Sequence, residues 1–370
     1  MELVVQPSNL AAILASWGHD PRLSLAFSSL ARPDLVPARV VSHLGPQVEL
    51  VDASGALRLA QPSGRMRHTL RADQLPTVGD WVAVTAAAAE PAIVHCVLPR
   101  RTQLIRRAAG KLADEQVVAA NVDTFFIVTS ANRDASARRL ERYLIAVRDG
   151  GAAPVIVVNK VDLVDGAGLA AALAELAAVA PGVPIAPVSA HSGAGLGELA
   201  AYLAPGRTVA LIGSSGVGKS SLVNAWLGSD LQSVLPIDEN DRGRHATTRR
   251  ELFALPAGGL VIDTPGMRSF GLLDTDSGLD DTFADIAALA TGCRFRDCRH
   301  QGEPGCAVDA AIDAGDLDPD RLDGMHKLER ELAAAERRRD RAAARAERAR
   351  WKSINKAQRT RYKVDPKSGR

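Results

Sequence analysis

Residues Gly213 to Ser220 read GSSGVGKS, which satisfies the G-x-x-x-x-G-K-[ST] spacing of a phosphate loop. An apolar strand-like run, Thr208 to Ile212, precedes it, and a helix-compatible run, Ser221 to Leu227, follows. The glycines let successive backbone NH groups turn inward around phosphate oxygens, and the helix presents its positive end to the same anion. The candidate contacts are Gly213, Ser214, Ser215, Gly216, Val217, Gly218, Lys219, Ser220 and Ser221. Lys219 is expected to reach the β and γ phosphates, and the Ser220 hydroxyl to ligate magnesium.

Such a loop does not choose a base, since ATP and GTP enzymes share it. Residues 159 to 162 read NKVD directly after the apolar run PVIVV, at the carboxyl end of an expected parallel strand, where α/β sheets bind ligands. The Asp162 carboxylate can accept two hydrogen bonds from the guanine ring NH and amine, which adenine cannot supply. Asn159 would tie this loop to the phosphate loop, the Lys160 stem would lie over the purine, and Val161 completes the turn. One strand later Ser189 and Ala190 sit where a backbone NH can meet the guanine carbonyl. A phosphate-loop kinase using ATP is disfavoured by Asp162.

In most translation-factor-related GTPases the phosphate loop comes first and NKxD and SA last. Here NKVD and SA precede the loop, so the motifs resemble those of circularly permuted GTPases. The permutation preserves a site whose parts only need to meet at the strand ends. Asp263 to Gly266 (DTPG) follows the apolar run GLVI, so that Asp263 would hold magnesium and the Gly266 NH would sense the γ phosphate. GRHATTRR, Gly243 to Arg250, reads as the first switch, with Thr248 the better magnesium-binding threonine and Thr247 the other possibility. Where Ras-type enzymes place a water-orienting glutamine after DxxG, this chain has Met267, whose thioether cannot position water. His245 is the nearest polar candidate, set against a plain loop histidine. The catalytic set expected from the sequence is therefore His245, Thr248, Lys219 and Asp263, with slow intrinsic turnover and stimulation by a partner.

Cys293, Cys298, His300 and Cys306 give C-x4-C-x-H-x5-C, three thiolates and an imidazole suited to one tetrahedral, structural zinc per chain. Cys96 lies in a strand-like run and reads as core.

The elements that must position these groups fall into segments. The chain has 370 residues, 46% hydrophobic and 24% charged, enough for two or three domains and too polar for a membrane protein. It reads as a cytoplasmic monomer with no membrane partner. Residues 1–34 form an N-terminal extension with a helix-compatible stretch, Leu10 to Trp17, and then a Pro- and Asp-rich exit. Residues 35–108 carry short alternating runs (ARVVSHL, QVELVD, GALRLA, VGDWVAV, AIVHCVL), the pattern of a small barrel or sandwich. Residues 109–277 alternate apolar strands and helices, which predicts a parallel sheet covered on both faces. Residues 278–350 hold the cysteine cluster and a long helix from about Asp318, and 351–370 form a basic tail. The net charge of +2 hides an asymmetry: from Asp323 to Arg370 there are 16 Lys and Arg against 7 Asp and Glu, a net +9 that suits a phosphate backbone.

Taken together, VGDWV at Val78 to Val82, GSSGVGKSSLVN, GRHATT, DTPGMRSFG and the cysteine cluster resemble the RsgA (YjeQ) family of small-subunit biogenesis GTPases, over about residues 35 to 350. The resemblance implies a multidomain α/β protein with an N-terminal OB-type barrel that touches ribosomal RNA, a central permuted GTPase and a zinc-containing helical C-terminal domain. It implies GTP and GDP, magnesium and the small ribosomal subunit as partners, with GTP hydrolysis driving release late in subunit maturation. Ala246 stands where the family pattern commonly has a third threonine. The reading from a different class is an RNA-binding or scaffolding protein in which guanine nucleotide is regulatory or structural.

Overall fold

The computed structural model describes residues 7–86, 90–107, 115–131, 137–228, 250–264, 277–334 and 337. Two helices open the chain, α1 (Pro7–Ser16) and α2 (Pro21–Ser28). The second occupies the stretch expected to be an irregular exit. Pro and Asp start this helix rather than break it: the Asp20 side chain caps it by accepting from Leu23 N at 3.0 Å, and Pro21 takes the first turn, where its missing NH costs nothing.

The alternating runs that follow become β1 (Leu35–Leu44), β2 (Gln47–Asp52), β3 (Leu57–Pro62), β4 (Trp81–Thr85) and β5 (Ala92–Val97), with a short helix α3 (Gly64–Thr69) after β3. Strand pairing runs β1-β2-β3-β5-β4 and closes through β4 onto β1, so the choice between barrel and sandwich falls to a five-stranded barrel. Only β3 and β5 pair in parallel, giving the connectivity of an OB barrel. Its core is Val40, Leu50, Val82, Val84 and Val94, the inward half of the alternation. Strands β6 (Gln103–Arg107) and β7 (Glu115–Ala120) pair only with each other and lead into the central region.

The central region contains β8 (Thr124–Ser130), α4 (Ala137–Asp149), β9 (Ala153–Asn159), α5 (Gly166–Val179), β10 (Ile185–Pro187), β11 (Thr208–Ile212), α6 (Lys219–Leu227), β12 (Glu251–Ala254) and β13 (Leu260–Asp263). Strands β10-β9-β8-β11-β13 are parallel, and β12 adds an antiparallel edge that the apolar pattern did not announce. Successive residues of β8 go to opposite faces, Phe125 and Ile127 packing with Leu140, Leu144 and Leu176, and Phe126 and Val128 with Leu199 and Leu222. β12 also pairs with β1 at Ser42 and Glu251, so the barrel and the central sheet are one hydrogen-bonded surface.

The buried Arg39 of β1 fastens the seam. Its guanidinium donates to the carbonyls of Trp17 and Asn121 and to Thr208 Oγ1, joining the extension, the β7–β8 connection and the start of β11. Burial pulls that guanidinium down to about 10. Asp80, in the VGDWV run, is likewise buried and takes two bonds from Arg100, both at 2.8 Å. A cavity of about 530 Å³ lies along this seam, lined by His19, Arg101, Asp123 and Arg207, at the end of the sheet opposite the motif loops.

The C-terminal region comprises α7 (Ser277–Thr282), α8 (Ala284–Ala290), α9 (Ala307–Ala314) and a last helix, α10 (residues 319–334). Residues 335–336 and 338–350 of the long helix expected to Arg350, and the 351–370 tail, lie outside the described residues. The core of this region, Leu279, Phe283, Ile286, Val308 and Leu328, takes in Ile145 from α4. Among the described residues no helix is long and apolar enough to cross a membrane.

Candidate nucleotide site and metal centre

The carboxyl ends of β8, β9, β11 and β13 lie side by side, because Ile212 is in register with Ile127, Ser130 with Asn159, and Leu211 with Asp263. Each motif loop leaves from one of these ends. After β11 the chain turns through Gly213, whose φ is 146°, and an added Cβ there would sit 2.2 Å from the Val128 carbonyl oxygen. At Gly218, φ 98°, an added Cβ would meet the Asn159 amide at 2.2 Å. Only glycine lets the loop run this close to its neighbours.

The NKVD and GSSGVGKS loops, more than fifty residues apart in sequence, are bonded to each other. Asn159 Nδ2 donates to the Val217 carbonyl at 2.9 Å, and Asn159 Oδ1 accepts from Ala190 N at 3.0 Å, so that one buried amide joins all three loops. Lys160 adopts a left-handed φ of 64°, which turns the chain out of β9, and its ammonium donates to the Gly216 carbonyl at 2.7 Å. Val161 and Asp162 begin the short turn that follows. Asp162 is exposed, accepts from Ser189 Oγ at 2.5 Å, and is held below the usual carboxylate range first by that bond. A second bond to the same hydroxyl, from Ser192 N at 3.1 Å, fixes Ser189 in turn.

The buried Lys219 ammonium curls back over the loop, donating to the Gly213 and Ser214 carbonyls at 2.9 and 2.7 Å. Ser220 Oγ lies 3.2 Å from Asp263 Oδ2, so the two oxygens sequence reading gave to magnesium face one point. That pairing of a hydroxyl and a carboxylate is the hard oxygen donor set magnesium takes. Thr264 anchors the loop after β13 by donating to the Leu211 carbonyl. Thr248, His245 and Gly266 lie outside the described residues, Ser215 sits within the loop, and Ser221 lies in the first turn of α6.

The second site is Cys293, Cys298, His300 and Cys306, whose donor atoms all lie within 4.8 Å of one another. Cys293 Sγ is 4.0 Å from Cys306 Sγ, and His300 Nδ1 is 3.7 Å from Cys293 Sγ and 3.3 Å from Cys306 Sγ. Four ligands at about 2.0 to 2.3 Å around a tetrahedral zinc give edges of this size. Ala307 N and Asp309 N donate to the sulfurs of Cys293 and Cys306, both at 3.4 Å, as suits sulfurs that carry negative charge. Burial pushes the Cys306 thiol up, whereas Cys293 beside it is lowered. Cys96, on β5, is far from this set in the fold and stands in register with Ala83 in the barrel.

The sequence profile of the family described as RsgA GTPase matches residues 97–273. The small ribosomal subunit biogenesis GTPase RsgA of Opitutus terrae is 48% identical over 339 residues, covering 88% of this chain and 92% of its own. The chain belongs to the RsgA GTPase family. The Streptomyces coelicolor protein of the same name is 44% identical, with 86% of each chain covered. Among solved structures, YjeQ from Thermotoga maritima aligns with a TM-score of 0.58 at 27% identity, over 81% of this chain and 99% of that one. As an RsgA-family member the protein is a GTP hydrolase with an N-terminal barrel, a permuted GTPase region and a Cys3His cluster.

Two features of this RsgA-family chain escaped the sequence reading. Arg139, near the start of α4, donates to Ser214 Oγ at 2.6 Å and so touches the phosphate loop from a third element. The run ARRLERYL offers several arginines, and only the helix phase and packing say which one faces the loop. Arg321 of α10 is buried between Glu141 of α4 at 3.2 Å and Asp285 of α8 at 2.8 Å, with its guanidinium 4.6 Å from the Phe283 ring centroid. Together with Arg142 and Glu331 at 2.7 Å, it holds the C-terminal region on the helix that carries Arg139.

Proposed function

We propose that this protein hydrolyses GTP during late maturation of the small ribosomal subunit, binding ribosomal RNA in its GTP form and leaving after hydrolysis. The observation that carries the reading is the pair of bonds Asn159 to Val217 and Lys160 to Gly216, which lock the guanine-reading loop against the phosphate loop. The relatives named for small ribosomal subunit biogenesis supply the biological setting. The protein acts as a cytoplasmic monomer with no membrane partner.

In this reading Asp162 accepts from the guanine ring NH and amine, the Ala190 NH meets the guanine carbonyl, and Asn159 holds both loops in register. The Gly213–Ser221 loop wraps the phosphates, and Lys219 exchanges carbonyl partners for phosphate oxygens. Ser220, Asp263 and Thr248 would hold magnesium, which when bound neutralises charge on the β and γ phosphates. Gly266 reports the γ phosphate, and His245 orients the attacking water in place of the glutamine that Met267 replaces. Cys293, Cys298, His300 and Cys306 hold one structural zinc and fix the C-terminal region.

GTP turnover measured with and without purified small subunits tests the proposal. It predicts stimulation by small subunits of at least tenfold, with none by large subunits. Equal rates in all three conditions would leave a nucleotide-regulated scaffold as the better account.

A further inference from the structure

The two halves of the phosphate loop are fastened from different elements. Its carboxyl half is held by the NKVD loop, Lys160 donating to the Gly216 carbonyl and Asn159 to the Val217 carbonyl. Its amino half is held from α4, where Arg139 Nη1 donates to Ser214 Oγ at 2.6 Å. The Ser214 carbonyl accepts in turn from Lys219 at 2.7 Å. One residue of the loop is therefore gripped by two cations, at its hydroxyl by Arg139 and at its backbone by the lysine expected to meet the β and γ phosphates.

Arg139 is half-buried, whereas its neighbour Arg138 is exposed. The helix that carries it is fixed on both sides: Leu140 and Leu144 pack into the central core, and Glu141 and Arg142 are paired with Arg321 and Glu331 of α10. A guanidinium on so firmly seated an element is a rigid prop for whatever it touches. Phosphoryl transfer leaves the protein little covalent work and rests on positioning and charge stabilisation, so the placement of this loop bears directly on rate. Met267, standing where Ras-type enzymes have a water-orienting glutamine, leaves more of that work to the loop.

We propose that Arg139 is a positioning residue for GTP hydrolysis: by holding Ser214 it sets the amino half of the phosphate loop, and Lys219 with it, in the alignment the γ phosphate requires as charge develops on it. The inference rests on the reading above that this loop holds the phosphates. Ground-state binding draws on the whole loop and on the guanine contacts, but few groups meet the developing charge. A small displacement of Ser214 therefore costs rate before it costs affinity.

The test is single-turnover GTP hydrolysis by the full chain with magnesium and without ribosomal subunits, paired with GDP titration. The parent is compared with Arg139→Ala, Arg139→Lys, Ser214→Ala, the Arg139→Ala/Ser214→Ala double variant and Arg138→Ala. The expected result is hydrolysis about tenfold slower in Arg139→Ala, with GDP affinity within about twofold of the parent. Ser214→Ala is slowed to the same extent, and the double variant is no slower than either single one, as for two residues of one contact. Arg139→Lys recovers part of the rate, because an ammonium keeps the charge without the planar fork. Arg138→Ala, which removes the same charge one residue away, turns over at the parent rate. A parent-like rate in Arg139→Ala overturns the proposal, and so does a loss of GDP affinity as large as the loss of rate, the mark of a loop that is merely misfolded. Slowing in Arg139→Ala with a parent-like rate in Ser214→Ala also overturns it, since the guanidinium would then act on the phosphate directly. A parent chain that binds no GDP contradicts the reading of the loop itself, and the proposal falls with it before any variant is compared.

Discussion

Ser220 shows how one hydroxyl can separate binding from chemistry. Its Oγ faces Asp263 across 3.2 Å, while the guanine contacts assigned to Asp162 and Ala190 sit on other loops. Ser220→Ala is therefore expected to lower kcat for GTP by at least about a hundredfold, the cost of losing an electrostatic ligand at developing charge, while GDP affinity falls by less than about tenfold. Steady-state turnover paired with GDP titration reads both quantities. At this scale the meeting of the motif loops at the strand ends was legible, because glycine, lysine and Asx residues in this order have few other reasons to recur there. Arg139 was not, because an arginine on an amphipathic helix reads as solvated until packing shows that it reaches Ser214. Nor was the work of Asp80, which belongs to a family marker and serves as a buried partner of Arg100 in the seam.

The element that organises the molecule is α4. One end reaches the phosphate loop through Arg139, and the middle is clamped to the C-terminal region through Glu141, Arg142 and Ile145. Arg321 is the centre of that clamp, with its side chain and that of Glu141 exposed by only 7% and 4%. Removing one partner of a buried pair strands the other charge, so Arg321→Ala should cost about 3–5 kcal/mol in the docking of the C-terminal region. Thermal melting and limited proteolysis check this: the variant should unfold the C-terminal helices first, with GDP-stabilised melting of the central region kept. A melting curve identical to the parent's would rule the clamp out. Element type followed from sequence because the barrel alternates every second residue and the central strands run apolar throughout. Not every element followed, the β6–β7 hairpin among those that did not. Helix α2 hid behind Pro21 and Asp20, which end helices as readily as they start them, and β12 is a short edge whose pairing to β1 depends on distant residues.

Across the whole molecule, the barrel, the permuted GTPase and the Cys3His region are not strung loosely together. Arg39 pins the extension and barrel to the start of β11, β12 continues the central sheet into the barrel, and Arg321 fastens the C-terminal region to α4. None of these couplings has a sequence signature, since each joins residues more than 150 positions apart, through a side chain at Arg39 and Arg321 and through strand pairing at β12. The permutation gives the arrangement its sense: with NKVD early and DTPG late, the C-terminal region follows the last motif of the candidate site in sequence.

The account stands on one nucleotide spanning loops whose order in the chain is reversed. Titrating the parent and Asp162→Asn with GDP and with xanthosine diphosphate tests this most directly, because the asparagine amide replaces one acceptor with a donor that matches the xanthine carbonyl. The account predicts one GDP per parent chain, a loss of about 10- to 100-fold in GDP affinity on substitution, and a reversed preference for the xanthine nucleotide. GDP binding and base preference that are unchanged in Asp162→Asn would contradict it.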